Sequence, residues 1–74
     1  MVKFSGLRGG TYPVHLHSRC NGSQSFHITV IANLRITSNG TGSIYVSISY
    51  FGRGRCLIVY TSRSLSAVLT TRPI

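Results

Sequence analysis

The sequence predicts an all-β protein, a small four-stranded antiparallel meander. Within residues 11–63, hydrophobic and polar side chains alternate with a period of two, which is typical of half-buried strands. Turn sequences rich in asparagine and glycine separate the alternating runs. Most hydrophobic residues of the four runs fall at even positions, as a single register through the sheet requires, although Ile31, Leu57 and Val59 are apolar at odd positions. Together these features predict one continuous apolar face.

The segments on either side of this β domain lack a clear strand pattern. Residues 1–10 show no alternation and are expected to form a flexible N-terminal segment. In residues 64–74, Leu65, Val68 and Leu69 have helical spacing, but the segment is short. A helix, a fifth strand at the sheet edge and a tail therefore remain open for it.

The first two strands are expected to form a hairpin. The first, at 12–20, contains Pro13, whose missing N–H favours an edge position. A turn at 21–23 leads to a long second strand at 26–36. The even face of the hairpin carries Tyr12, Val14, Leu16, Cys20, Phe26, Ile28, Val30, Ala32, Leu34 and Ile36.

The third and fourth strands are expected to continue the meander. A turn at 39–42 precedes the third strand at 43–51, and a turn at 52–54 precedes the fourth at 55–63. Sequential pairing places Leu34 against Val46, Arg35 against Tyr45 and Ile48 against Ile58. In each of these strand pairs, even residues face even residues.

The apolar face of such a sheet must be covered. The segment at 64–74 is too short to shield four strands. We therefore expect the sheet to curl into a small barrel or to pack face to face as a dimer. A second copy of the chain is thus an expected partner, and the protein is expected to be a homo-oligomer.

Two cysteines, Cys20 and Cys56, fall on the even face at the same end of the predicted sheet. In a flat meander the first and fourth strands are about 14 Å apart, at about 4.8 Å per strand. A disulfide requires Cα atoms within about 7 Å of each other. A bond between the two cysteines therefore implies a curled sheet, and two buried thiols are the alternative.

Three histidines, His15, His17 and His27, fall at odd positions, on the face opposite the apolar one. If paired residue numbers in the first hairpin sum to about 44, His17 lies opposite His27. Imidazoles this close can share a metal ion, but the chain has no carboxylate to orient them. The sequence thus favours exposed histidines and no metal or cofactor, with a three-histidine site as the alternative.

The charge of the chain is one-sided. It has eight Lys and Arg residues, no Asp or Glu, and a formal net charge of +8. Such a surface attracts anions and cannot form salt bridges between its own side chains. The sequence therefore predicts an anionic polymer as the partner, with an anionic membrane surface as the alternative.

Arginines and aromatic residues mark the expected binding surface. The glycine turn at 52–54 can aim backbone N–H groups at a phosphate, and its arginines add charge. Arginine interleaved with aromatic side chains suits stacking on unpaired bases. The residues expected to bind RNA or single strands are Arg19, Arg35, Tyr45, Phe51, Arg53, Arg55 and Arg63.

Other function classes are limited by what the sequence lacks. Paired carboxylates and a Ser-His-Asp triad are impossible, so the chain is not expected to be an enzyme. The alternatives are a cationic membrane-active toxin or defence protein and a self-assembling viral or phage accessory protein. No secretory signal or membrane-spanning run is recognisable, which favours an intracellular protein.

Overall fold

Six β-strands and two short 3-10 turns make up the regular structure of residues 1–65 and 67–74, the part of the chain described by the computed structural model. The strands are β1 (Val2–Phe4), β2 (Gly10–His17), β3 (His27–Ile36), β4 (Gly42–Ile44), β5 (Cys56–Tyr60) and β6 (Val68–Pro73). The 3-10 turns are Gln24–Phe26 and Ile48–Tyr50. All strand pairs are antiparallel, which confirms the predicted all-β class. Over the described residues, no helix has the length and apolar character needed to cross a membrane.

The strands form two sheets rather than one meander. One sheet has four strands in the order β3-β2-β5-β6, and β1 pairs with β4 in a second, two-stranded sheet. The predicted sequential order is wrong, because β5 pairs with β2 and not with the strand that precedes it. The larger sheet has β3 and β6 at its two edges, so the expected closure into a barrel does not occur.

The predicted third strand is much shorter than expected. Of residues 43–51, only the first two belong to β4, and a 3-10 turn follows. β4 pairs with β1, so three expected pairings do not form. These are Leu34 with Val46, Arg35 with Tyr45, and Ile48 with Ile58.

Gly42 explains how β4 can lie close to β3 without belonging to the same sheet. A Cβ atom at this position would clash with the backbone carbonyl of Arg35. The absence of a side chain lets β4 approach the β3 backbone closely while it pairs with β1, with Val2 opposite Ile44. β1 and β4 therefore form a two-stranded ribbon that packs against one face of the larger sheet.

The main core lies between this ribbon and the four-stranded sheet. Its buried residues are Val2, Phe4, Val14, Leu16, Leu34, Ile36, Ile44, Val46, Leu57 and Val59. Two of them lie on β1, within the segment 1–10 that was expected to be flexible. The segment 64–74 contains β6, an edge strand, which was one of the three structures considered for it; Ser66 of this segment lies outside the described residues.

The residues of β5 have the opposite parity to the one expected. Leu16 lies opposite Leu57, so odd residues of β5 face the main core. The even residues face the other side of the sheet, where they are fully buried: Cys56, Ile58 and Tyr60. Parity changes because β5 pairs with β2, in a register that sets even numbers against odd ones.

Two bulges in the β2–β3 ladder change the predicted face of β3. The register shifts after Val14 and again after Leu16. A bulge places an extra residue in one strand, so the residues beyond it change faces. Ile28 and Val30 were expected in the core, but they are 41% and 62% exposed.

The loop at 18–26 folds back over the second face of the four-stranded sheet. Cys20 in this loop forms a disulfide with Cys56 on β5, and the two Cα atoms are 5.1 Å apart. No curling of the sheet is needed, since β5 lies directly beside β2. Gly22 packs so closely that a Cβ atom there would lie 2.6 Å from Cγ2 of Val68.

Candidate functional site

The disulfide fixes the positions of two predicted arginines. Arg19 precedes Cys20 and Arg55 precedes Cys56, and the Cα atoms of the cysteines are 5.1 Å apart. The guanidinium of Arg19 lies over the ring of Phe26, 5.4 Å from its centroid. Both arginines therefore lie beside the disulfide, at one end of the four-stranded sheet.

The turn that contains Gly52, Arg53 and Gly54 has a left-handed backbone, with φ of 85°, 61° and 72°. Glycine adopts this region freely, whereas Arg53 does so at a cost of about 1–2 kcal/mol. The Gly52 N–H donates to the Ile74 carbonyl at 3.0 Å, and the Arg55 N–H donates to the Gly52 carbonyl at 3.2 Å. The N–H groups of Gly52 and Arg55 are therefore engaged within the protein and are not available to an anion.

An exposed aromatic hollow adjoins this turn. Its volume is about 450 Å³, and it is lined by Met1, Tyr45, Val46, Ile48 and Phe51. Tyr45 is 78% exposed and Ile48 is 87% exposed. The Arg55 guanidinium donates to the Ser49 carbonyl at 3.2 Å, which places its charge beside the hollow. We call Tyr45, Ile48, Phe51, Arg53 and Arg55 the aromatic–arginine surface.

Two predicted arginines lie away from the disulfide and from Arg19 and Arg55. Arg35 pairs with Thr11, whereas the disulfide end of β2 is at His17. At about 3.3 Å per residue, that separation along the strand is about 20 Å. Arg63 lies in the connection between β5 and β6, beyond the end of β5 that is farther from Arg55. The predicted set therefore divides into separate groups.

Arg72 was not among the predicted residues. Its guanidinium lies over the ring of Phe4, 5.8 Å from the centroid, and donates to the Lys3 carbonyl at 2.7 Å. These contacts tie β6 to β1. The alternation in 68–73 is too weak for β6 to be recognised from the sequence, so this contact could not be predicted.

The three histidines converge on the second face of the four-stranded sheet. His15 and His17 alternate along β2, and His27 lies opposite His17, as the predicted first hairpin requires. The ring centroids of His15 and His27 are 4.9 Å apart, and those of His17 and His27 are 5.5 Å apart. One ring nitrogen from each of the three residues lies within 4.8 Å of the others. We call these residues the histidine cluster.

This face is not the exposed surface that was expected for the histidines. His15 is 7% exposed, and His17 is fully buried. The ring of Tyr60 packs against His15, with centroids 5.1 Å apart. Tyr60 lies here because of the reversed parity of β5, and the loop at 18–26 covers the same face.

Hydrogen bonds define the orientation of His17. Its Nδ1 lies 2.9 Å from the Asn21 carbonyl oxygen, so Nδ1 carries the proton and donates. Its Nε2 then accepts a hydrogen bond from the Tyr60 hydroxyl at 3.2 Å. Gln24 Nε2 donates to the same hydroxyl at 3.3 Å. By contrast, the buried Nδ1 of His15 has no hydrogen-bond partner in the described part of the chain.

Burial favours the neutral form of the two inner histidines. Loss of hydration lowers the pKa of His15, and repulsion from His27 and His17 lowers it further. Burial also lowers the pKa of His17; the hydrogen bond to the Asn21 carbonyl raises it, and repulsion from His27 lowers it. Neutral imidazoles have lone pairs available for a metal ion.

The chain has no match among protein-family models, curated proteins or solved structures. Function is therefore inferred from the aromatic–arginine surface and the histidine cluster themselves. The aromatic–arginine surface offers positive charge and stacking area, whereas the histidine cluster offers neutral nitrogen ligands.

Proposed function

We propose that the protein is a non-enzymatic module that binds single-stranded nucleic acid, RNA in particular, through the aromatic–arginine surface. The observation that carries this proposal is the position of the Arg55 guanidinium beside the hollow lined by exposed Tyr45 and Phe51, with Arg53 two residues after Phe51 on the adjoining turn. These groups lie on a chain that has no Asp or Glu to compete with a phosphate. The surface therefore combines the two contacts that single-strand binding uses, phosphate neutralisation and base stacking.

Electrostatics supplies the first of these contacts. A net charge of +8 attracts a polyanion from any direction, and the arginines beside the hollow give that attraction a location. Each phosphate that is neutralised releases condensed counterions, so the affinity for a single strand falls as salt rises. A steep salt dependence with little sequence preference is the expected behaviour.

The aromatic side chains supply the second contact. Tyr45 is 78% exposed and Phe51 is 39% exposed, so both rings offer surface to a partner. Stacking of a base on an aromatic ring contributes about 1–3 kcal/mol. Unpaired bases can reach such rings, whereas bases inside a duplex are stacked on one another. This difference favours single strands as the ligand.

A non-enzymatic role is consistent with the side chains present. The chain lacks every side-chain carboxylate, which removes paired-acid mechanisms and the third member of a Ser-His-Asp triad. Both cysteines are joined in a disulfide, so neither is a thiol nucleophile.

The experiment measures binding of a labelled single-stranded RNA across a salt series, with paired variants of equal charge. Arg53→Gln with Arg55→Gln removes two charges from the surface, and Arg35→Gln with Arg63→Gln removes two charges elsewhere. At a slope of about 0.7 per phosphate contact, the first pair should flatten the log–log salt dependence by about 1.4. Equal losses from both pairs would mean diffuse binding and would contradict the assigned surface.

Stacking and competing ligands are tested in the same assay. Phe51→Ala should weaken RNA binding about 5- to 150-fold at constant charge, which corresponds to about 1–3 kcal/mol. Neutral and anionic lipid vesicles form the comparison arm. Retention on anionic vesicles without RNA affinity would favour the membrane-active alternative and overturn the RNA proposal.

Self-association is a second candidate, and a specific observation favours it. β3 is an edge strand that exposes Ile28 and Val30, at 41% and 62%. Unpaired edge groups beside apolar side chains can pair with a second copy. The molar mass of the RNA-free protein over a concentration series tests this candidate. A constant monomer mass would exclude an RNA-independent oligomer, including the expected dimer.

A further inference from the structure

We propose that His15, His17 and His27 form a three-histidine site for a divalent transition-metal ion of the zinc class, on the second face of the four-stranded sheet. This site goes beyond RNA binding and does not depend on it. The candidate ring nitrogens lie within 4.8 Å of one another. Nitrogen ligands of tetrahedral zinc, each about 2.0–2.1 Å from the ion, lie about 3.4 Å apart. Side-chain rotations would have to close the remaining gap on metal binding.

A buried ring nitrogen without a partner gives independent support for the site. His15 is 7% exposed, and its Nδ1 has no hydrogen-bond partner among the residues that the structure describes. Burial of a polar atom without a partner is unfavourable, so most such atoms are paired. A metal ion bound at this nitrogen would satisfy it.

The surroundings of His17 match those of a metal ligand. A metal-binding histidine usually donates its other ring N–H to a carbonyl or a carboxylate, which fixes the tautomer. His17 donates from Nδ1 to the Asn21 carbonyl at 2.9 Å, so its Nε2 carries the lone pair. That Nε2 lies 3.2 Å from the Tyr60 hydroxyl. An incoming ion would replace the hydroxyl hydrogen as the partner of Nε2.

The donor set selects the class of metal. Imidazole nitrogen suits zinc, cobalt, nickel and copper, whereas magnesium and calcium require oxygen ligands. The cluster contains no carboxylate, and both cysteines are in the disulfide, so no thiolate competes for the ion. Three protein ligands leave one tetrahedral position open for water or another small ligand.

The test titrates the untagged, chelator-treated full chain with Co²⁺ and then with Zn²⁺. We expect one Co²⁺ per chain, visible absorption bands of a low-symmetry nitrogen site, and loss of these bands when Zn²⁺ is added. Zn²⁺ should also raise the midpoint of thermal unfolding, since it binds the folded state. Absence of the Co²⁺ bands from folded protein would overturn the proposal, as would a sulfur-to-cobalt charge-transfer band.

Matched variants assign the ligands. His27 is the most exposed of the three histidines, so His27→Ala and His27→Gln should both keep the fold. Both should weaken Co²⁺ binding at least tenfold and abolish the thermal shift caused by Zn²⁺. Ile28→Ala, at the neighbouring exposed position, is the control and should leave both readouts unchanged. If the His27 variants have a native circular dichroism spectrum and the parent affinity, the ions bind elsewhere and the site is excluded.

Discussion

Loss of the Cys20–Cys56 disulfide should remove a large part of the stability of this protein. The bond joins residues 36 apart in the chain. The entropy of closing a loop of that length in the unfolded chain corresponds to about 4 kcal/mol at 25 °C. A domain of 74 residues has a total unfolding free energy of about 4–11 kcal/mol. The cross-link therefore accounts for a third or more of the total.

Urea denaturation monitored by circular dichroism measures this contribution. We expect the double variant Cys20→Ala, Cys56→Ala to lose about 4 kcal/mol and to be largely unfolded without urea if the parent is near the lower limit. The parent reduced with dithiothreitol is the control, because it keeps both sulfur atoms and separates the cross-link from packing. A loss below about 1 kcal/mol in both samples would refute the loop-entropy argument.

The same bond tests the order of the strands. In the sequential meander, the two cysteines would be on strands about 14 Å apart, too far for a disulfide in a flat sheet. With β5 beside β2, their Cα atoms are 5.1 Å apart. Protein folded under oxidising conditions should therefore contain no free thiol and should have a mass lower by two hydrogens. Persistent free thiols in folded protein would contradict the observed order.

Three further substitutions, two of them paired with a control at an exposed position, test individual contacts by the change in unfolding free energy. Gly42→Ala should cost about 1–3 kcal/mol, because the added Cβ meets the β3 backbone. An unchanged unfolding free energy would mean that β4 does not approach the β3 backbone at this position. Tyr60→Phe should cost about 1–3 kcal/mol, because the buried Tyr60 hydroxyl bonds to the buried His17 ring and to the Gln24 amide, whereas Tyr45→Phe at an exposed ring should cost almost nothing. Val14→Ala in the core should cost about 2 kcal/mol and Val30→Ala under about 0.5 kcal/mol; equal losses would argue against the bulged register.

The sequence predicts the pairing of the first hairpin, because its pattern is local. The edge position expected from Pro13 is wrong, since β2 lies between β3 and β5; the β5 ladder begins only at Val14, so Pro13 itself has no partner residue in β5. β2 and β3 pair, and His17 lies opposite His27, as the alternation and the turn indicate. The prediction that even residues of the later strands face the core is wrong for a physical reason. Alternation shows which residues of one strand share a face, but the face that meets the core depends on the pairing partner. Since β5 pairs with β2, the same alternation places Leu57 in the main core and Tyr60 on the second face.

The two candidate sites differ in what the sequence can predict about them. Net charge is additive along a chain, so attraction to an anion is evident from composition alone. The position of that charge is a tertiary property, because the disulfide brings Arg19 and Arg55 together while Arg35 lies at the other end of the sheet. Composition therefore predicts the charge of a ligand better than it predicts which arginines would lie close enough together to bind it.

For the histidine cluster, the sequence predicts the positions of the residues but not their chemical environment. Local alternation correctly places the three imidazoles on one side of a hairpin, but the hairpin alone would leave them in water. Their proposed role as metal ligands depends on the elements that cover them, Tyr60 from β5 and the loop that carries Asn21 and Cys20. Burial lowers the pKa of His17, and a fixed carbonyl selects the nitrogen that keeps its lone pair. A pattern typical of exposed polar residues thus becomes a candidate metal centre because a distant strand pairs out of sequence order.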